Sequence, residues 1–489
     1  MYEKNVKTYC IFRRKNSIIS KTFTQMLKKK DIHFIGIGGI GTSAIAHIMK
    51  KKGFTVSGSD MEASEITTVL KKSGIKVSIG HDAKNITKDT TLVVYSPAIP
   101  KDNPELLQAE KLGIETITYP QALGELSKEY FTIAVAGAHG KSTTTAMTAL
   151  LLKNAGLDPT VVIGTKIREF GNQNFRVGKS KYLVIEACEY KRSFLNIHPN
   201  ILIITNIEAD HLDYYKDLKD YKSAFTQMSE KLKKGGIVII NSDDKNSVDA
   251  TNKAENVSGN QNKVIALSER NKIANFFFDR ENNILHGKNT TTKITPHVVG
   301  AFNKLNASMA AILGDLLKIS SKDIESSIKK FKGTWRRLEE KPFIGKTRII
   351  DDYGHHPTEI TLTLAAIRED NPHSKILCVF QPHQHNRTIE LLKGFSNSFH
   401  AVDEVIIPDI YKVRDKAEDI KKISAKILAE EINKACKKQK ATDGGGLEKT
   451  AKFILKNHSK YDIIVTMGAG DIYNIHGLLK VLDKSNISG

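Results

Sequence analysis

The amino-acid sequence predicts an α/β protein in which parallel sheets carry phosphate-binding turns. Two glycine-bearing turns, each lying between an apolar run and a helical pattern, lead to this prediction. The length of 489 residues suits about three domains. We divide the chain into an extension at 1–30 and three domains at 31–126, 127–333 and 334–489.

The first 30 residues are basic and nearly free of acids, which predicts a flexible extension. No apolar run reaches the roughly 18 residues that a membrane helix needs, and the start lacks the apolar core of a secretory leader. The four cysteines are scattered without metal-type spacing, as expected of reduced thiols in the cytoplasm. We therefore expect a cytoplasmic protein with no membrane partner.

The net charge of +20 favours anionic partners. The lysines of the protein are spread along the whole chain rather than gathered in one stripe with interleaved aromatic residues. We therefore expect no nucleic-acid partner. A basic surface also attracts anionic small molecules, which is the interpretation we prefer.

The first domain opens with a strand that runs into a glycine-rich turn, His33-Phe-Ile-Gly-Ile-Gly-Gly-Ile-Gly41. A helix follows to about Lys52, and a second strand ends at Asp60, about 20 residues past the glycines. This is the Rossmann fingerprint in its expected context, but alone it does not separate NAD from a uridine or other nucleotide diphosphate. Further short apolar runs predict strands of a parallel sheet at 76–79, 91–95 and 115–118.

The second domain opens with Ala134-Val-Ala-Gly-Ala-His-Gly-Lys-Ser-Thr-Thr-Thr145, between a strand-like run and an amphipathic helix. In that context backbone amides and the helix dipole face a polyphosphate, Lys141 reaches its terminal phosphates, and Ser142 can ligate Mg2+. Val135 stands where the usual spacing has a glycine, so the motif is a shortened version. An ordinary helix start is the alternative interpretation, which the strand–turn–helix context disfavours.

After the phosphate loop, two further predicted strands end in residues that could bind phosphate or a metal ion. Glu186 ends an apolar run at 182–186, and His211 follows the run at 201–206. Because ligands gather at the carboxyl ends of parallel strands, both side chains should converge on the bound phosphates. Mg2+ prefers oxygen ligands, so for His211 a hydrogen-bonding role beside the metal stays open.

The third domain has similar polar turns, Asp351-Asp-Tyr-Gly-His-His-Pro357 and Gln381-Pro-His383-Gln-His-Asn-Arg387. Adjacent histidines point their rings apart and lack the spacing of zinc ligands. A polar pocket for a nucleotide ribose and an amino acid fits better. Strands are expected near 347–351, 376–380, 404–407 and 463–466, the last closed by Met467-Gly-Ala-Gly-Asp471.

Together with Arg336-Arg-Leu-Glu339, these motifs resemble those of the Mur ligase family, in family order and from Asp31 nearly to the end. The resemblance implies the three-domain Mur ligase architecture: a Rossmann-like UDP-binding domain, a central P-loop-type ATPase domain and a Rossmann-like C-terminal domain. It implies an ATP- and Mg2+-dependent ligase, a monomer or homodimer acting on small molecules. The expected reaction joins L-alanine to the lactyl carboxylate of UDP-N-acetylmuramate through an acyl phosphate, the first amino-acid addition in peptidoglycan precursor synthesis.

The resemblance also implies roles for individual residues. The catalytic residues would be Lys141, Glu186, His211 and Arg337, and the metal ligands Ser142, Glu186 and His211. ATP would contact Gly137, Ala138, His139, Gly140, Lys141, Ser142, Thr143, Asn303, Asn306, Arg336 and Asp351. The UDP-sugar would lie against Gly36, Gly38, Gly39, Ile40, Gly41, Asp60, His81 and Ser96. The amino acid would meet His356, His383 and Arg387.

Several positions depart from the family pattern. Cys188 replaces an aspartate, Tyr190-Lys191 replace Ser-Asp, Phe302 replaces a histidine, and Gln384-His385 replace Arg-Tyr. Loss of that arginine removes a fork-shaped cation and predicts weaker recognition of the amino-acid carboxylate. Glycine and serine therefore stay open as acceptors beside alanine.

Three other functions are alternatives. A ligase that attaches a murein tripeptide to the same UDP-sugar shares the Glu-x-x-Glu-Tyr element at 186–190. An NAD-dependent dehydrogenase would explain only the first domain and leave Lys141 and Ser142 without a role. A non-enzymatic ATP-binding regulator would predict the loss of Lys141, Glu186 or His211, and all three are present.

Overall fold

The structure is a computed structural model that describes residues 31–211, 214–252, 262–413 and 415–487. The predicted extension at 1–30 lies outside the described residues. The described residues form three sheets flanked by helices, which confirms the predicted α/β class. Among them, no helix combines the length and apolarity required to cross a membrane.

The chain divides into two compact units. The first unit contains the described residues up to Ile294 and the segment Asn306–Ser327, and the second contains Thr295–Leu305 and the chain from Ile328 onward. The first two sheets thus lie in one unit and the third sheet in the other. The domain boundaries at 126 and 333 stay predictions.

The first sheet has five parallel strands in the order β3-β2-β1-β4-β5, which confirms the predicted parallel arrangement. Its helices begin at strong signals, such as the Thr118 side chain that accepts from the Gln121 amide at the start of α4. The strands are β1 (Asp31–Ile35), β2 (Thr55–Asp60), β3 (Lys76–Ile79), β4 (Leu92–Tyr95) and β5 (Glu115–Thr118). The helices are α1 (Ile40–Lys51), α2 (Glu65–Lys72), α3 (Pro104–Lys111) and α4 (Tyr119–Lys128).

The second sheet has ten strands in the order β15-β14-β13-β12-β11-β10-β6-β9-β7-β8. The strands are β6 (Phe131–Ala136), β7 (Thr160–Ile167), β8 (Gln173–Arg176), β9 (Tyr182–Glu186), β10 (Ile201–Ile204), β11 (Ile237–Asn241), β12 (Lys263–Ser268), β13 (Phe276–Asp279), β14 (Ile284–His286) and β15 (Thr291–Lys293). The helices that follow along the chain are α5 (Lys141–Asn154), α6 (Leu218–Glu230), α7 (Lys245–Thr251), α8 (Ala301–Leu316) and α9 (Ser321–Lys330).

Three central strands of this sheet position the candidate site. The strand β6 pairs in parallel with β10 on one side and β9 on the other. All four residues of β10 are buried, as their continuous apolar sequence predicts for a strand covered on both faces. The turns after the three strands therefore meet at one edge of the sheet.

The third sheet has six strands in the order β16-β17-β21-β18-β19-β20, parallel except for β16. Buried apolar clusters pack with this sheet, one including Phe380 and Leu428 and another including Ile464 and Leu479. The strands are β16 (Glu339–Ile344), β17 (Thr347–Asp352), β18 (Ile376–Phe380), β19 (Glu404–Ile407), β20 (Ala441–Asp443) and β21 (Ile463–Met467). The helices are α10 (Pro357–Asp370), α11 (His385–Glu390), α12 (Leu392–Ser396), α13 (Ala417–Lys422), α14 (Ala425–Cys436), α15 (Leu447–Asn457) and α16 (Ile475–Ile487).

Candidate active site

The phosphate loop connects β6 to α5 and contains Gly137, Ala138, His139 and Gly140, with Lys141, Ser142 and Thr143 opening the helix. Gly140 has a φ of 82°, a left-handed conformation that favours glycine. A Cβ there would collide with the side-chain amide of Asn306, and one at Gly137 would collide with Thr205. Among the described residues, no side chain caps the start of α5. Its first backbone amides therefore face an anion-binding position.

Asn206, which follows β10, fixes the shape of this loop. Its side-chain oxygen accepts from the His139 amide at 3.0 Å, and its side-chain nitrogen donates to the His139 carbonyl at 3.0 Å. Thr205 donates to the same carbonyl at 2.5 Å. The loop is thus held by the neighbouring strand end before any ligand binds.

Lys141 lies over the loop that it follows. Its Nζ donates to the carbonyls of Gly137 and Ala138 at 2.6 and 2.9 Å and to Glu189 Oε1 at 3.0 Å. Burial alone lowers the pKa of Lys141, but the carboxylates of Glu189 and Glu186 outweigh it and raise the pKa above its ordinary value. The ammonium group therefore stays charged, as an anion-binding residue requires.

Ser142 and Glu186 form a first pair of candidate oxygen ligands at this edge. The Ser142 hydroxyl donates to Glu186 Oε1 at 2.9 Å, and the Gly164 amide donates to Glu186 Oε2 at 2.7 Å. A hydroxyl and a carboxylate in contact beside a phosphate loop are ligands that suit Mg2+.

A second cluster consists of Glu189, Asp210 and His211, whose ligand atoms all lie within 4.8 Å of one another. Glu189 is fully buried, and its Oε2 has no hydrogen-bond partner among the described residues. His211 Nε2 lies 3.6 Å from Glu189 and 3.9 Å from Asp210. A buried, unpaired carboxylate oxygen beside further ligand atoms fits a divalent cation.

The predicted metal ligands thus have different neighbours. Ser142 contacts Glu186, whereas His211 contacts Glu189 and Asp210. Glu189 and Asp210 were not predicted as site residues from the sequence. Their signal was present, because both are acids that closely follow the strand ends at Glu186 and at 201–206.

The predicted UDP-sugar turn lies at the carboxyl edge of the first sheet. Gly36, Gly38 and Gly39 form the turn, and Ile40 and Gly41 begin α1. The Gly38 amide donates to Asp60 at 2.8 Å, and a Cβ on Gly36 would lie 3.1 Å from the Ser96 Cβ. Asp60 therefore orders the turn, and its contact with the UDP-sugar stays a prediction.

His81, a predicted UDP-sugar contact, belongs to a buried polar network. Its Nδ1 lies 3.0 Å from the Ser59 hydroxyl and 3.4 Å from Glu105. Burial alone raises the pKa of Glu105, but hydrogen bonds from His33, Ser59 and Asn85 lower it to about 2. The structure gives His81 an internal role, and its role toward a ligand stays a prediction.

In the second unit, Arg336 and Asp351 form a buried ion pair, with Nε to Oδ2 at 3.1 Å. Arg336 also donates to the carbonyls of Gly468 and Gly470. Both side chains are almost fully buried, so their predicted contacts with ATP stay predictions beside a clear structural role. Asn303, buried in α8, donates to the Val299 carbonyl at 2.7 Å.

The predicted amino-acid contacts and Arg337 have partners within the same unit. His356 caps α10 by accepting from the Thr358 amide, and His383 stacks on Tyr411 with ring centroids 5.4 Å apart. Burial, with the nearby charges of His355 and Arg387, lowers the pKa of His383 to about 4. Arg337 Nη1 lies 3.4 Å from Glu359.

Comparison with known proteins extends the similarity over most of the chain. Three family models match, described as the Mur ligase family catalytic domain at 31–131, the Mur ligase middle domain at 135–314 and the Mur ligase glutamate ligase domain at 336–470. A UDP-N-acetylmuramate–L-alanine ligase of Acetivibrio thermocellus is 40% identical, over 94% of this chain and 97% of that protein. The enzyme of the same name from Clostridium acetobutylicum is 41% identical, over 91% and 96%.

Solved structures agree with the sequence relatives. A UDP-N-acetylmuramate-alanine ligase from Thermotoga maritima has a TM-score of 0.74 at 27% identity, covering 93% of this chain and 99% of that chain. A murein peptide ligase from Psychrobacter arcticus, at 22% identity, shares the fold with a TM-score of 0.68 over 92% and 98% of the two chains. This chain belongs to the Mur ligase family.

Proposed function

We propose that this protein joins L-alanine to the lactyl carboxylate of UDP-N-acetylmuramate and converts ATP to ADP and phosphate. This is the first amino-acid addition in peptidoglycan precursor synthesis. The observation that carries the proposal is the 40% identity, over 94% of the chain, to a relative named for that reaction. As a Mur ligase the protein is an ATP-dependent ligase with small-molecule substrates.

The chemistry explains the need for ATP. A carboxylate is a poor electrophile at neutral pH, so it first attacks the γ-phosphorus of ATP, which breaks the bond to the β–γ bridging oxygen, releases ADP and forms an acyl phosphate. The amino group of alanine then attacks the acyl carbon, and the tetrahedral intermediate collapses to the amide and phosphate. Phosphoryl transfer depends on positioning and charge neutralisation, so no nucleophilic side chain is required.

Lys141 and the first amides of α5 supply that charge neutralisation in our proposal. Lys141 is a largely buried cation beside the loop, and the uncapped helix start points its amides at the same position. Asn306 lies against Gly140 and so borders the proposed ATP position. For the second unit, the proposed roles of Arg337 toward phosphate and of His383 and Arg387 toward the amino acid rest on the family resemblance alone.

We further propose that Mg2+ accompanies ATP. Ser142 with Glu186, and Glu189 with Asp210 and His211, are the residues that would hold it. Bound there, Mg2+ would neutralise phosphate charge and orient the terminal phosphate. In the part of the chain that the structure describes, Glu189 Oε2 has no hydrogen-bond partner, which supports this assignment because a buried carboxylate oxygen is costly without one.

ADP release with UDP-N-acetylmuramate, ATP and Mg2+ tests the proposal, with one amino acid supplied at a time. We expect turnover with L-alanine and its loss in Lys141→Ala, which removes the loop cation. If turnover occurs only with glycine, serine or the murein tripeptide, the protein is still a ligase, but its acceptor is not L-alanine. Folded protein that binds ATP but turns over no acceptor would contradict the proposal.

A further inference from the structure

Tyr119 lies at the ligand-binding edge of the first sheet. It directly follows β5 and is the first residue of α4. The glycine turn after β1, Asp60 at the end of β2 and Ser96 after β4 occupy the same edge. Ligands of open parallel sheets collect at this edge, so Tyr119 stands where the UDP-sugar is expected.

The phenol ring of Tyr119 packs directly on Gly41 in the first turn of α1, next to the glycine turn. A Cβ placed on Gly41 would lie 2.5 Å from the Tyr119 hydroxyl oxygen, so only a glycine admits this approach. The ionisable groups that act on the hydroxyl are Cys188 and Glu186, at the end of β9 in the second sheet. Tyr119 therefore lies beside the predicted nucleotide turn, and the charge of Glu186, a proposed Mg2+ ligand, acts on its hydroxyl.

The Tyr119 hydroxyl is not used by the fold. Within residues 31–211, 214–252, 262–413 and 415–487 it has no hydrogen-bond partner, although the ring is partly buried against the core. Burial, with Cys188 and Glu186, raises the pKa of Tyr119. The group therefore remains a neutral hydroxyl that can donate a hydrogen bond.

The proposed reaction requires one substrate to span these two positions. Its diphosphate would lie at the glycine turn, whereas its lactyl carboxylate must reach the phosphate loop beside Lys141 and Glu186. On the basis of that proposed function, we propose that the Tyr119 hydroxyl donates a hydrogen bond to the lactyl carboxylate. A neutral donor orients the carboxylate while leaving it negative enough to attack phosphorus.

Calorimetric binding of three nucleotides to Tyr119→Phe tests this contact. UDP-N-acetylmuramate carries the lactyl group, UDP-N-acetylglucosamine lacks it, and UDP lacks the sugar as well. We expect Tyr119→Phe to weaken UDP-N-acetylmuramate binding about tenfold and to leave the other two affinities unchanged. In turnover, KM for UDP-N-acetylmuramate should rise by a similar factor, with a smaller change in kcat.

Tyr182→Phe is the matched control, because Tyr182 begins β9 at the opposite end of the strand and packs on Phe131. It should bind all three nucleotides like the wild type, and both variants should keep the wild-type Tm. Unchanged binding of UDP-N-acetylmuramate by Tyr119→Phe would overturn the inference. An equal loss for all three nucleotides would place the contact at the diphosphate and would also overturn it. Failure of the wild-type protein to bind UDP-N-acetylmuramate would instead contradict the proposed function.

Discussion

Glu189 links the cation of the phosphate loop to the second candidate metal cluster. Its Oε1 accepts from Lys141 at 3.0 Å and lies 3.6 Å from His211 Nε2. Glu189→Gln removes the charge and a metal ligand while keeping the shape of the side chain. We expect Mn2+, used as a spectroscopic substitute for Mg2+, to bind at least about tenfold more weakly in the presence of ATP.

Electron paramagnetic resonance of free Mn2+ measures that affinity, and the Mg2+ dependence of turnover gives a second readout. Glu230→Gln, at the exposed end of α6, is the control and should behave like the wild type. Equal Mn2+ affinity in Glu189→Gln and the wild type would restrict the metal to Ser142 and Glu186.

For this candidate site, sequence predicted the phosphate loop and, at two neighbouring strand ends, Glu186 and His211, but it did not predict Glu189, Asn206 or Tyr119. Lys141 and Ser142 were predictable because the strand, turn and helix that position them are consecutive in the chain. Glu189, Asn206 and Tyr119 meet their neighbours only after separate strands pair and their turns fold back. The positions of the acids along the chain do not predict which of them becomes buried, because burial depends on the tertiary fold.

At the scale of the element, Gly140 and Gly156 flank α5 with nearly equal φ angles of 82° and 78°. Alanine at either position costs about 1 kcal/mol or more from the left-handed backbone. Only at Gly140 does the new Cβ also meet a neighbour, the Asn306 amide. We expect Gly140→Ala to lose at least about tenfold in ATP-dependent turnover.

Gly156→Ala should lower the free energy of unfolding, measured in urea, by the cost of the left-handed backbone alone. Its turnover should stay near the wild-type value, because its Cβ enters open space. Comparing the two variants separates backbone strain from damage to the loop. Equal activity of both variants would show that the close approach of Asn306 is not needed.

His47 gives α1 a pH-dependent stability. Burial and then the charge of Lys51 lower the pKa of His47 to about 4, while the unfolded chain titrates near 6.5. Between these values the unfolded state binds more protons, so the free energy of unfolding falls as the pH drops from 6.5 to 4. His47→Phe keeps the stacking on Phe175, whose ring centroid is 4.3 Å away, and should reduce this fall by about 1 kcal/mol.

Urea unfolding at pH 7 and pH 4.5 measures that difference. The variant should resemble the wild type at the higher pH and exceed its stability at the lower. A parallel decline of both proteins would mean that His47 carries its proton in the folded state as readily as in the unfolded chain.

The main strands were predictable because most form short apolar runs, such as β10 and β18, whose burial on both faces selects such sequences. The hairpin of β7 and β8 and the outer strands β12 to β15 were not predicted. Several of these have short, mixed sequences, such as Gln-Asn-Phe-Arg in β8, and they extend a sheet that already exists. Their strand structure depends on the neighbour with which they pair.

At the scale of the whole molecule, the net charge of +20 should act on anionic substrates. We expect kcat/KM for UDP-N-acetylmuramate to fall several-fold between about 20 and 200 mM KCl, because salt screens long-range attraction. KM for zwitterionic L-alanine should change little and serves as the internal control. Steady-state kinetics at several salt concentrations measure both, and a salt-independent kcat/KM would exclude electrostatic steering.

The first unit is not one continuous piece of chain, because Asn306–Ser327 belongs to it and Thr295–Leu305 does not. Within the returning segment, Gly314 and Ile324 lie close to Leu151 of α5. A fragment of residues 31–294 should therefore have a lower Tm and lower solubility than one of residues 31–332. Equal Tm values for the two fragments would show that the returning segment adds no stability.

The ribosome synthesises the chain from its amino terminus. The segment that completes the first unit is therefore made later than the rest of that unit. The surface around Leu151 is complete only after residues 295–327 have also been made. At roughly 5–20 residues per second, synthesis of this stretch takes about 2 to 7 s. During those seconds the apolar surface around Leu151 is uncovered in the nascent chain. We therefore expect chaperones to bind the nascent chain before the second unit has been made.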